Sequence, residues 1–187
     1  MLGGLGQCGL FWLVQSGNGR GGQSRPQCLL VRTDPIEGRR VETFAHNDTA
    51  DLERLLAEHR GDARRALVIT EGVFSMDGDL APLDAISAVV ERHDAWLMVD
   101  DAHALGVIGG GRGSGAVFPA ARVHLAMGTL SKALGGFGGY VCADRPVIDL
   151  LKTRARSSVF ATALPPASAA AALAALRLVQ EIGRAHV

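Results

Sequence analysis

The sequence is short of the features that would place it in several functional classes. It has three cysteines, Cys8, Cys28 and Cys142, an odd number without CxxC spacing. That argues against a disulfide framework and a cysteine zinc site, and fits a reducing, cytoplasmic setting. It has no net charge, since Lys plus Arg and Asp plus Glu are 19 each. No bulk field therefore draws it to nucleic acid or to an anionic membrane. It has no long hydrophobic run: Leu10–Val14 is too short to span a bilayer. No basic region precedes that patch, so it does not read as a signal peptide. The GxxxxGK[ST] order of a phosphate-binding loop is missing, because Lys132 precedes its glycines and is followed by Ala133. The SxxK pattern fails as well, since Ser131 adjoins Lys132. No His/Asp/Glu cluster has metal-ligand spacing, so no metal is expected.

What is present suits a globular fold. The 187 residues, 48% hydrophobic and 20% charged, suffice for one domain with a core or for part of a larger one. Residues 1–40, rich in Gly, Gln and Arg, show no lasting period and are expected to be an atypical, non-native leader. From Val41 the pattern is regular. Val41–Phe44 reads as a short strand, and Asn47-Asp48 can cap a helix over Thr49–His59 with Leu52, Leu55 and Leu56 on one face. Ala66–Thr70 is a continuous apolar run, as in a strand covered on both faces. Pro82 opens a helix to about His93, and Trp96–Val99 is a second buried strand.

Leu125–Met127 and Tyr140–Cys142 read as two further strands, and helices are expected over Pro146–Arg154 and from Pro165 to about Ile182. Alternating strands and helices predict an α/β fold with a mostly parallel sheet flanked by helices. In such sheets ligands sit beyond the carboxyl ends of the strands. The polar clusters Glu71–Asp79, Asp100–His103 and Thr129–Lys132 each follow a strand.

Taken singly, these residues have ordinary readings. Asp100 could cap a turn or bind a metal. Asp101 is expected to stay solvated or to cap a turn. Ser75 lies in a good turn sequence, His103 could be structural, and Lys132 could be a solvated loop residue. Jointly they offer an amine, a carboxylate, hydroxyls and glycine backbone, the set that pyridoxal phosphate requires.

Four ordered blocks make the pattern specific: TEGVFSMDGDLAPL (Thr70–Leu83), WLMVDDAHALGVIGGGRG (Trp96–Gly113), GTLSKALGGFGGYV (Gly128–Val141) and SVFATALPPA (Ser158–Ala167). Together they resemble the pyridoxal-phosphate-dependent α-oxoamine synthases, class II aminotransferase-like enzymes of fold type I. The resemblance runs from about Val41 to Glu181, and FAHND (Phe44–Asp48) also fits. It implies the central part of the large domain, with the C-terminal small domain absent and residues 182–187 a non-native tail. It further implies that Lys132 forms the Schiff base and acts as the base, that Asp100 pairs with the pyridinium nitrogen, and that His103 and Ser75 lie near the phenolic oxygen. Thr129 matches a phosphate ligand, and Thr162 one reaching the phosphate held by a neighbouring subunit. A ring-stacking histidine and a Gly/aromatic phosphate turn, expected before Val41, are not found in residues 1–40.

Within the family the blocks fit best the member that condenses L-alanine with pimeloyl-CoA or a pimeloyl-carrier protein in biotin biosynthesis, a homodimer at full length. Glycine C-acetyltransferase is the alternative enzyme. A catalytically silent fragment is the alternative of another kind.

Overall fold

The structure, a computed structural model, describes residues 9–10, 28–34 and 38–185. Seven strands form one sheet: β1 (Gly9–Leu10), β2 (Leu29–Asp34), β3 (Gly38–Thr43), β4 (Arg65–Glu71), β5 (Trp96–Asp100), β6 (Leu125–Thr129) and β7 (Gly139–Ala143). Their order across the sheet is β1-β7-β6-β5-β4-β2-β3. The centre, β4-β5-β6, is parallel, while β7 and β2 pair antiparallel on either side of it. β1 is antiparallel to β7 and β3 to β2, so β2 and β7 run against the other five strands.

The helices follow from local chemistry. Asp48 ends the chain before α1 (Thr49–His59) by accepting the N–H groups of Ala50 and Asp51 at 2.9 and 3.0 Å. Such a cap satisfies donors that the first turn cannot pair internally. Leu52, Leu55 and Leu56 then fall on one buried face. In α2 (Leu83–Arg92) the buried set Leu83, Ile86, Val89 and Val90 repeats at helical spacing. Both helices pack on one face of the sheet, where Val68, Leu97 and Val99 are almost fully buried.

α4 (Arg145–Arg154) begins with Pro146 in its first turn and buries Ile148 against Val141 and Met127. The long α6 (Pro166–Ala185) lays Ala172 on Leu130 and Leu134. Two four-residue helices, α3 (Ser114–Val117) and α5 (Arg156–Val159), and a 3₁₀ turn at Arg60–Asp62 complete the helices among the described residues. Among the described residues no helix is long and apolar enough to cross a membrane.

Two expectations are revised. β4 and β5 are not covered equally on both faces: Ala66, Val68, Thr70, Leu97 and Val99 are buried, whereas Leu67, Ile69 and Met98 are half-buried. A run of apolar residues cannot by itself reveal which face its neighbours cover. Leu29–Asp34, inside the stretch set apart by composition, forms β2 and pairs with both β3 and β4. Its strand character comes from ladders on both edges, a non-local cause with no period in LLVRTD to announce it. Cys8 and the patch Phe11–Val14 lie outside the described residues.

Leu97 is fully buried at the centre of the sheet, among Val68, Val99 and the α2 side chains. Leu97→Ala is expected to lower the unfolding free energy by about 2–5 kcal/mol, because the rigid surroundings close only partly on the space left. Denaturant unfolding of the two proteins measures it.

Candidate active site

The cleft forms where three parallel strands end together. Glu71 of β4 is in register with Asp100 of β5, and Asp100 with Met127 of β6. The polar residues that follow these ends enclose a cleft of about 300 Å³.

After β5 the chain turns sharply. Ala102 donates its N–H to Asp100 Oδ1 at 2.9 Å, and the Ala104 and Leu105 N–H groups return to the Asp101 carbonyl at 3.0 Å. This turn brings His103 to the cleft wall beside Asp100. After β4 a loop is closed by the Val73–Leu80 bridge and by the Phe74 N–H on the Asp79 carbonyl at 2.9 Å. Phe74 anchors it in the core. The FAHND segment secures it from outside, with His46 Nε2 2.6 Å from Asp79 Oδ2 and its ring edge-on to Phe74 at 4.3 Å. Ser75, near the loop's tip, donates its N–H to Glu71 Oε2 at 3.1 Å.

After β6 a third loop carries the lysine. Leu130 and Leu134 are buried against α6, leaving Lys132 between them exposed to the cleft. The loop is tied by N–H donation from Leu130 to the Gly138 carbonyl at 2.9 Å and from Gly136 to the Leu130 carbonyl at 2.7 Å. Gly135 completes the turn at φ +62°, a left-handed conformation that glycine adopts without strain. Thr129 donates its hydroxyl to the Gly138 carbonyl at 2.9 Å and lies 2.6 Å from the Ser131 hydroxyl.

Burial pushes the Asp100 carboxyl above the usual carboxylate range, against the lowering pull of the Ala102 N–H, His103 and Lys132. Burial also raises Glu71, opposed by the Ser75 N–H and reinforced by the charge of Asp100. Two carboxyls that resist ionisation thus face one lysine and one imidazole. Such an arrangement favours a cationic guest beside Asp100.

Asp100, His103, Ser75, Thr129 and Lys132, singled out in the sequence, line this one cleft. Thr162 does not: it is exposed in the segment between α5 and α6. Asp101 is not solvated. It is half-buried and caps the turn into α3 through Ser114. The sequence pattern put Glu71 in a polar cluster at a strand end but gave it no role, and it did not mark Tyr140; both are on the cleft wall. Tyr140 faces Gly128 across the β6–β7 ladder, and a Cβ on Gly128 would collide with its hydroxyl. A glycine opposite an aromatic residue is a readable signal only once the strand register is known. Among the described residues no group of His, Cys, Asp or Glu could hold a metal ion.

An amine, a carboxylate and an imidazole thus gather at the carboxyl ends of the three central parallel strands. The chain belongs to the aminotransferase class I and II family, which matches residues 32–185. It is 59% identical over 154 residues to the 8-amino-7-oxononanoate synthase of Beijerinckia indica, an alignment covering 82% of this chain and 40% of that relative. The chain thus spans about two fifths of the length of that relative. Among solved structures, Sphingomonas wittichii serine palmitoyltransferase superposes with a TM-score of 0.69 at 37% identity, over 75% of this chain and 35% of that one. A serine palmitoyltransferase from S. paucimobilis with bound PLP-myriocin aldimine gives 0.68 at 34% identity, over 73% and 36%.

Proposed function

We propose that this chain is the cofactor-binding part of an 8-amino-7-oxononanoate synthase. That enzyme is a pyridoxal-phosphate-dependent acyltransferase joining L-alanine to pimeloyl-CoA, or to a pimeloyl-carrier protein, with loss of carbon dioxide, in biotin biosynthesis. In its full-length form it is a cytoplasmic homodimer. The observation that carries the reading is the meeting of Lys132 with Asp100 and His103 in one cleft at the strand ends. The 59% identity to a relative of that name supports this choice within the family.

The donor set fits the cofactor. An amine can take its aldehyde, a carboxylate its pyridine nitrogen, an imidazole its phenolic oxygen, and the hydroxyls and backbone of the glycine-rich loop its phosphate. When bound, pyridoxal phosphate supplies an aldehyde that captures amines and an electron-poor ring that spreads negative charge from an amino acid's α-carbon. Lys132 would hold the cofactor through its Nζ, and its free amine would serve as the base for the substrate's α-proton. A base so positioned contributes roughly 10²–10⁴ in rate. Asp100 would pair with the pyridine nitrogen and favour its protonated form, and that cation would offset the desolvation that otherwise resists ionisation of the carboxyl. His103 and Ser75 would lie near the phenolic oxygen. Thr129 would bind the phosphate once its hydroxyl turns from the Gly138 carbonyl, and Thr162 would reach the phosphate held by a neighbouring copy.

The test is turnover, with pyridoxal phosphate, by a full-length protein that carries this chain. Formation of 8-amino-7-oxononanoate from L-alanine and pimeloyl-CoA, absent with glycine and acetyl-CoA or serine and palmitoyl-CoA, is the expected result. Preference for either other pair would overturn the substrate assignment. Cofactor uptake without any turnover would restrict this chain to a binding unit.

A further inference from the structure

Asp101 neighbours Asp100 in sequence but is not among the residues that line the cleft. Its contacts instead gather three separate parts of the fold. Oδ2 accepts the Ser114 N–H at 3.0 Å and Oδ1 accepts the Ser114 hydroxyl at 2.5 Å, at the start of α3. Its own N–H donates to the Met127 carbonyl of β6 at 2.8 Å, and its carbonyl closes the turn that carries His103. The carboxylate also fills space that two glycines leave open. A Cβ on Gly72, just past β4, would strike Oδ1, and one on Gly113 would strike Oδ2. Gly113 has φ +85°, so that close approach is built into a backbone shape that L side chains rarely adopt. Ser114 itself is buried, which leaves its hydroxyl few other places to donate.

We infer that Asp101 is a positioning residue, which sets the direction in which Asp100 and His103 enter the cleft by tying their turn to α3 and to the end of β4. The inference rests on the cofactor reading above. An asparagine has the same size but only one oxygen. With that oxygen on the Ser114 N–H, its amide N–H₂ faces the Ser114 hydroxyl and can donate to it, but the buried hydroxyl proton then loses its acceptor and the carboxylate's charge is gone from both bonds.

The experiment uses the full chain, titrated with pyridoxal phosphate and followed by absorbance, by visible circular dichroism per bound cofactor and by thermal melting. Asp101→Asn is expected to weaken cofactor binding roughly tenfold or more, as loss of a charge-assisted hydrogen bond would, and to change the visible dichroism. Gly72→Ala should do the same, because its methyl takes the place of the carboxylate. Ser114→Ala removes one donor with little steric change and should move both readouts in the same direction by less, whatever the folding yield of the other two. Val89→Ala, a core truncation on α2, should lose stability yet keep the wild-type dichroism. Wild-type affinity and dichroism in Asp101→Asn or Ser114→Ala would overturn the positioning role. A wild-type chain that takes up no cofactor would instead overturn the cofactor reading and this role with it.

Discussion

In a full-length protein that carries this chain, Lys132→Ala is expected to abolish turnover and the visible absorption of bound cofactor while leaving the fold intact. The separation of the two effects follows from where the lysine sits. Leu130 and Leu134 anchor its loop against α6, and the backbone ties among Leu130, Gly136 and Gly138 do not involve the lysine side chain. The side chain is exposed, and surface truncations of this kind change stability by about 0.5 kcal/mol or less. Chemistry loses far more. Removal of a positioned base alone costs roughly 10²–10⁴ in rate, and here the point of covalent attachment is lost too. Absorbance of the reconstituted protein and a thermal melt, taken on one sample, check both halves. A visible band retained in the variant would contradict the assignment of Lys132.

Asp100→Asn is expected to move function and stability in opposite directions. Burial holds the Asp100 carboxyl above its unfolded value, so the folded chain keeps its proton more readily than the unfolded chain. The stability this contributes is fully present below the unfolded pKa of 3.8 and is lost as pH rises through the folded pKa. At neutral pH the group therefore costs stability. Asparagine carries no charge, can still accept the Ala102 N–H through Oδ1, and relieves the charge that raises Glu71. The cofactor-free variant should melt above the wild type at about pH 7 and lose that advantage near pH 3. Its turnover should fall by roughly 10²–10³, because a neutral amide cannot hold the proton on the pyridine nitrogen. A variant that melts lower at neutral pH would show that Asp100 stabilises the fold through its charge.

The contrast between these carboxylates shows which parts of the site can be read from a sequence. Asp100 and Lys132 lie in polar clusters that follow apolar strands, and strand ends of a parallel sheet are where ligands collect, so pattern placed them near a site while the joint motif supplied their roles. The same holds for α1, whose span from Thr49 to His59 follows from the Asp48 cap and the leucine spacing. Glu71 becomes a cleft residue only because β4 pairs with β5 in the register that sets it beside Asp100. Tyr140 likewise depends on the β6–β7 register, and β2 on ladders to partners on both sides. Asp101 was expected in solvent or capping a nearby turn. Its partner Ser114 lies beyond a glycine-rich loop, so nothing local to Asp101 indicates the contact. Period and capping act within a few residues, whereas register and burial are properties of the assembled sheet.

The chain contains two lysines, Lys132 in the cleft and Lys152 in α4, which makes one measurement decisive. The protein is incubated with pyridoxal phosphate, reduced with borohydride, digested, and its lysine peptides are weighed. The pyridoxyl group should be found on the peptide containing Lys132 and not on that containing Lys152. A label on Lys152 alone, or on neither lysine, would contradict the reading of this cleft as the cofactor site.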